Sequence, residues 1–195
     1  MKPKYCLTIL LLTTGFAYGQ GTLIYDQQST NLVEGSAGLY EAYQPVGQSF
    51  TPSLSSISFV ELRLYDAGSL EILGSTVYVN LRSDSITGPI LSSSTPVFLP
   101  NAFFDVTNFF FSTSVSLTPG VTYYLQPVIE SGDTVGSYVT DASYPGGSEI
   151  YQGVPIADRS LWFREGIVVP EPSSALLILL GGGVLVWRIR EKRRR

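Results

Sequence analysis

Apolar and polar side chains alternate along most of the middle of the chain. Between residues 58 and 65, Val60, Leu62 and Leu64 fall on one face, and charged or aromatic residues fall on the other. This period of two is typical of a β-strand with one buried face. The pattern recurs at 76–82, and no helix-period stretch of useful length appears between 21 and 166. We therefore predict strands at 22–25, 48–51, 58–65, 76–82, 90–98, 103–112, 121–129, 136–140 and 161–164.

Turn-forming residues separate these strands, as in Thr118-Pro119-Gly120 and Tyr144-Pro145-Gly146-Gly147. Glycine, proline and asparagine supply the backbone angles that tight turns require. Eight or nine short strands with this punctuation predict an all-β domain, an antiparallel β-sandwich of jelly-roll type. We place this domain at residues 20–166, which is long enough to bury one hydrophobic core.

The first nineteen residues have the pattern of a secretory signal peptide. Lys2 and Lys4 precede an apolar stretch at 7–16, and the small residues Ala17 and Gly19 follow it. A buried N-terminal helix is the alternative, but the apolar stretch has no polar face. We predict a signal helix at 1–19 that is exported through the Sec translocon. Its cleavage would also remove the chain's one cysteine.

At the other end, an apolar run leads into a cluster of cations. The segment from 173 to 189, counted as a helix, spans about 26 Å, close to the roughly 30 Å hydrocarbon core of a bilayer. We predict a transmembrane helix at about 173–189, with the basic end in the cytoplasm and the large domain outside. The cytoplasmic basic cluster (188–195) is Arg188, Arg190, Lys192, Arg193, Arg194 and Arg195.

The sequence Val169-Pro170-Glu171-Pro172-Ser173, followed by an apolar segment and terminal arginines, resembles the PEP-CTERM sorting signal of Gram-negative bacteria that make extracellular polysaccharide. The signal would occupy residues 167–195, with its motif at 169–173. The resemblance implies that Pro170, Glu171 and Pro172 are recognised by an exosortase, a membrane cysteine protease. It further implies a precursor anchored in the inner membrane that is later found at the cell surface or outside the cell.

Strand and turn motifs between residues 46 and 128 resemble the ectodomains called choice-of-anchor domains. The resemblance rests on Gly47-Gln48-Ser49-Phe50-Thr51, on the strand at 77–82 and on Leu117-Thr118-Pro119-Gly120 with the residues that follow. Such ectodomains are β-sandwiches without assigned chemistry. The resemblance therefore implies a fold and not an activity.

Composition removes several classes of function. The chain has no histidine and one cysteine, which excludes Ser-His-Asp and Cys-His catalysis, histidine-ligated zinc and an internal disulfide. Between residues 26 and 165, fourteen carboxylates stand against four arginines, a net charge of about −10. Nucleic acid binding needs clustered Lys and Arg, so it is not expected. We expect no catalytic residues, no cofactor and no resident metal.

Three kinds of site chemistry stay open. Aromatic side chains stack on sugar rings, and the candidate glycan contacts are Tyr40, Tyr43, Tyr144, Tyr151 and Trp162. A glycosidase needs a carboxylate pair, for which the spacing singles out none among Glu61, Glu71, Asp105, Glu130, Asp141 and Glu149. Calcium could be held by loop carboxylates such as Asp66, Asp84, Asp133 or Asp141, although no EF-hand-like pattern is present.

These observations predict an exported structural protein of the cell surface or extracellular matrix, associated with biofilm exopolysaccharide and sorted by an exosortase. The first alternative is a carbohydrate-binding module for extracellular polysaccharide, and the second is a glycosidase-like enzyme.

Overall fold

The computed structural model describes residues 21–31, 36–39, 41–68, 73–140, 144–170 and 191. The chain divides into two compact units, Leu23–Val169 and a second unit made of Met1–Thr22 and Pro170–Arg195. The predicted signal helix at 1–19 and transmembrane helix at about 173–189 lie outside the described residues. Among the residues that are described, no helix is long and apolar enough to cross a membrane.

The larger unit is built from β-strands, as the alternation predicts. In chain order they are β1 (Thr22–Ser29), β2 (Ser36–Leu39), β3 (Gly47–Phe50), β4 (Ser56–Asp66), β5 (Ser75–Arg82), β6 (Ile90–Ser93), β7 (Val97–Leu99), β8 (Phe104–Ser116), β9 (Tyr123–Gly132), β10 (Val135–Thr140), β11 (Glu149–Tyr151), β12 (Val154–Pro155), β13 (Ser160–Leu161) and β14 (Phe163–Val169).

The strands form two antiparallel sheets. The first sheet has the order β1-β14-β4-β10-β13, with β8 on the other edge of β4 and β2 beside β10. The second sheet has the order β12-β11-β3-β9-β5-β6, with β7 also paired to β5. From β3 through β5, and again from β8 through β11, consecutive strands alternate between the sheets. The predicted all-β class with antiparallel sheets is therefore confirmed.

The hydrophobic core lies between the two sheets. The apolar faces predicted for 58–65 and 76–82 both point into it, and Phe109 of β8 and Phe163 of β14 are fully buried there. Burial of apolar surface stabilises a fold by roughly 25 cal/mol per Å². The core includes Val60, Leu62, Leu64, Val77, Val79, Leu81, Phe109, Phe111, Leu125 and Phe163.

The stretch predicted as one strand at 90–98 is two strands. Pro96 has no backbone N–H to donate, so a continuous ladder cannot run through it. At this break the Ser94 backbone N–H still donates to the Val79 carbonyl of β5 at 2.9 Å, and Ser94 also pairs with Phe111 of β8. The break therefore links one edge of the second sheet to the first sheet.

Candidate functional site

The outward side of the first sheet carries aromatic rings and two arginines. Register fixes this side, because Arg164 of β14 lies opposite Glu61 of β4, and Phe104 of β8 lies opposite Tyr65. These residues therefore project away from Leu62 and the core. We call this surface the arginine–aromatic face, defined by Tyr25, Arg63, Phe104, Tyr138, Trp162 and Arg164.

One end of the face is organised by Arg164. Its guanidinium carbon lies 4.7 Å from the ring centroid of Tyr25 and 5.1 Å from that of Trp162. The same guanidinium is ion-paired with the buried carboxylate of Glu61, which also accepts a hydrogen bond from the Tyr25 hydroxyl at 3.3 Å. Burial, and then the charge of Glu61, raise the pKa of Tyr25, so its hydroxyl stays protonated and able to donate.

The other end of the face is organised by Arg63. Its guanidinium carbon lies 5.1 Å from the Phe104 ring centroid and 4.8 Å from that of Tyr138. The two rings meet edge to face, with centroids 5.2 Å apart. Phe104 is 55% exposed although it is a large apolar side chain. Exposed aromatic rings beside fixed hydrogen-bond donors can stack on a sugar ring and orient its hydroxyls.

The structure brings together only some of the predicted glycan contacts. The rings of Tyr43 and Tyr151 are in contact, with centroids 4.7 Å apart and planes tilted by 31°. Tyr144 is buried in the core against Phe163, and burial raises the pKa of its hydroxyl to about 12. Trp162 belongs to the arginine–aromatic face, where its indole N–H donates to the Thr30 carbonyl at 3.1 Å.

Tyr40, the remaining predicted contact, lies outside the described residues. The pattern of β4 could have signalled the face itself, since alternation already puts Glu61, Arg63 and Tyr65 on the side away from the core. The strand neighbours that complete the face come from β1, β8, β10 and β14, and their pairing is a tertiary property.

A pair of carboxyl groups lies where β1 meets β14. Burial, and then the charge of Asp26, raise the pKa of Glu165 to about 8. Burial also acts on Asp26, but hydrogen bonds from Ser53 and Leu54 outweigh it and hold the pKa of Asp26 below its ordinary value. At neutral pH Glu165 is therefore protonated while Asp26 is ionised. Glu165 is fully buried, and the Asp26 carboxylate holds the loop before β4 against β1 by accepting the backbone N–H groups of Ser53 and Leu54 at 2.8 and 2.9 Å.

The carboxylates considered for a glycosidase are dispersed. Glu149 is buried and bonded through both oxygens to Arg159, and Glu61 is ion-paired with Arg164. Glu130 and Asp105 are exposed on separate strands. Glu71 and Asp141 lie outside the described residues. Within the part of the chain that the structure describes, no three Asp, Glu, His or Cys side chains are grouped as metal ligands.

The C-terminal signal begins where the folded unit ends. β14 runs to Val169, and the backbone N–H of Val168 donates to the Ser58 hydroxyl at 2.6 Å. Pro170 follows directly and is exposed. No residue therefore separates the last strand from the predicted motif. Glu171, Pro172 and the basic cluster lie outside the described residues.

Comparison with known protein families identifies the C-terminal segment. Residues 168–195 match the PEP-CTERM protein-sorting motif. This confirms the predicted resemblance at the C-terminus and implies an exported protein that is sorted by an exosortase. The match starts at Val168, inside β14, so it joins the folded unit without a gap. No curated protein of similar sequence was found. The motif thus implies an exosortase-sorted exported protein, and the larger unit of this chain is antiparallel and all-β.

Proposed function

We propose that this protein is a structural component of the cell surface or extracellular matrix, associated with biofilm exopolysaccharide. The observation that carries the proposal is the PEP-CTERM sorting motif at 168–195, which begins in the last strand of the folded unit. The proposal includes a signal segment at 1–19 that uses the Sec translocon. It also includes a membrane segment at about 173–189 that holds the precursor until an exosortase acts.

The fold proposed for the exported part is a jelly roll. Support comes from the strand orders β1-β14-β4-β8 and β3-β9-β5-β6, and from the alternation of consecutive strands between the two sheets from β3 through β5 and from β8 through β11. The likeness of residues 46–128 to choice-of-anchor ectodomains stays a prediction. We propose no enzymatic role, because Glu61, the carboxylate at the Arg164 end of the arginine–aromatic face, is buried and already paired with Arg164.

The sorting step is tested by mass spectrometry of the C-terminus in the native host. We expect the wild-type chain to lose its C-terminal segment, and Glu171→Ala to accumulate in the membrane as a precursor that still ends at Arg195. Glu130→Ala, an exposed change on β9, is the matched control and should be processed normally. A wild-type chain that still ends at Arg195 would show that the motif is only an anchor.

The matrix role is tested separately in the same cells, by measuring in which fraction the processed protein is recovered. The processed protein should remain with the washed polysaccharide fraction. Recovery of all processed protein in the free medium would contradict the matrix role and leave the sorting step intact.

A carbohydrate-binding module is the second candidate, and the arginine–aromatic face favours it. The two guanidiniums are held between aromatic rings, so their orientation is fixed before a ligand arrives. Such pre-organisation reduces the entropy that binding must overcome. The face also presents both exposed rings and hydrogen-bond donors, the two elements that recognise a pyranose.

Binding of the exported protein to a glycan array, including the host's own polysaccharide, tests this candidate. Phe104→Ala should abolish binding because it removes the most exposed ring of the face. Phe98→Ala is the control, since Phe98 is 65% exposed but belongs to β7 of the second sheet. Absence of binding to every matrix glycan would leave the structural role alone.

A further inference from the structure

Two carboxylates lie together at the end of the first sheet. Asp66 ends β4, and Asp133 lies in the turn between β9 and β10. Asp133 is 5% exposed, and among the described residues neither of its carboxylate oxygens has a hydrogen-bond partner. Asp133 Oδ2 and Asp66 Oδ1 each lie 3.2 Å from the position that a Cβ atom would take at Gly68. The two side chains therefore face one small space, which exists because residue 68 is glycine.

Asp66 is held in place on the opposite side of this space. Its Oδ1 accepts the backbone N–H of Gly68 at 2.9 Å, and its Oδ2 accepts that of Ala102 at 2.7 Å. A carboxylate oxygen has lone pairs for a further contact after one hydrogen bond. The backbone of the turn is fixed as well, since the Ser75 hydroxyl donates to the Asp133 carbonyl at 2.6 Å.

Within the described part of the chain, neither of these two carboxylates is ion-paired with an arginine. Residues 21–170 contain no lysine and no histidine, and they contain four arginines. Arg159 and Arg164 are ion-paired with Glu149 and Glu61, Arg63 lies between aromatic rings, and Arg82 donates to Gln126 and Gly88. A buried carboxylate is costly unless it is paired with a cation or coordinates a metal.

We propose that Asp66 and Asp133 bind a Ca²⁺ ion in the space beside Gly68. Calcium prefers oxygen ligands and tolerates irregular geometry, whereas Mg²⁺ demands a near-ideal octahedron. Two carboxylates with the remaining positions filled by water make a weak site, with a dissociation constant on the order of 10⁻⁴–10⁻³ M, as in extracellular modules. This site is independent of the sorting motif and of the arginine–aromatic face.

The test is thermal unfolding and calorimetric titration of the full chain after removal of metal with EDTA. We expect CaCl₂ to raise the unfolding midpoint, and MgCl₂ at the same concentration to raise it less. Asp133→Asn should weaken Ca²⁺ binding by about tenfold or more. Gly68→Ala should weaken it as well, because a methyl group would contact both carboxylates. Asp84→Asn, which changes an exposed loop carboxylate, should titrate like the wild type.

A second measurement distinguishes a cation-binding site from a buried carboxyl group that binds no cation. In EDTA, Asp133→Asn should unfold at a higher temperature than the wild type, because the substitution removes an uncompensated charge. If Asp133→Asn does not fold, Asp66→Asn supplies the same titration. The proposal is overturned if Ca²⁺ does not move the wild-type midpoint, or if wild type and the Asp133 or Asp66 variant titrate alike.

Discussion

The buried and partly buried carboxyl groups of this acidic chain are stabilised in different ways. Glu61 and Glu149 are each paired with an arginine, and Asp26 is held by donors from the turn at Ser53. Glu165 is stabilised differently, because burial and the neighbouring Asp26 raise its pKa and keep its carboxyl group protonated at neutral pH. A neutral acid in the core costs less than an unpaired anion.

The raised pKa of Glu165 predicts a pH-dependent stability. Its pKa is about 8 in the folded protein, against an ordinary value of 4.5. Between these values the folded state holds a proton that the unfolded chain releases, so the free energy of unfolding falls as pH rises. The slope reaches at most about 1.4 kcal/mol per pH unit and ends above the folded-state pKa. Glu165→Gln should remove this fall, as measured by urea denaturation from pH 5 to 9.

Glu130→Gln is the control for this experiment, because Glu130 is an exposed carboxylate on β9 and should leave the slope unchanged. A slope that persists in Glu165→Gln would assign the pH dependence to another group.

At the scale of the strand, alternation predicts which side of an element is buried. Phe109 is fully buried and its neighbour Phe110 is 42% exposed, as a period of two requires. The strands β4 and β5 could be predicted for the same reason. Each is paired along both of its edges and has one face that is apolar throughout.

Short edge strands could not be predicted in this way. β11, β12 and β13 have two or three residues each, too few to display a period. Their positions depend on partners distant in sequence, as when Leu161 N–H donates to Gln48 Oε1 at 2.7 Å. The arginine–aromatic face shares this limit, since five strands contribute to it and alternation within one strand does not reveal which strands pair. The pair of Asp26 and Glu165, 139 positions apart in the chain, was invisible for the same reason.

At the scale of the whole molecule, an acidic, β-folded middle part of the chain lies between two cationic ends. The two ends hold eight of the twelve basic residues, and each of the four remaining arginines is fixed by carboxylates, amides or rings. The sorting match and the last strand overlap at Val168 and Val169. The chain therefore passes from a hydrogen-bonded strand to a protease recognition motif without a spacer.

The chain has no spacer between β14 and Pro170. If an exosortase processes the chain as proposed, we expect this junction to limit the rate of cleavage. A protease that binds an extended chain has little free backbone beside Pro170 while β14 remains paired to β1 and β4. A ten-residue Gly/Ser insertion between Val168 and Val169, which leaves the motif at 169–173 intact, would add roughly 16–19 Å of flexible reach. We expect this variant to be processed faster than the wild type in a pulse-chase experiment. The same insertion after Gly120, in an exposed turn between β8 and β9, should leave the rate unchanged. Equal rates for wild type and the junction variant would mean that the folded unit does not restrict the protease.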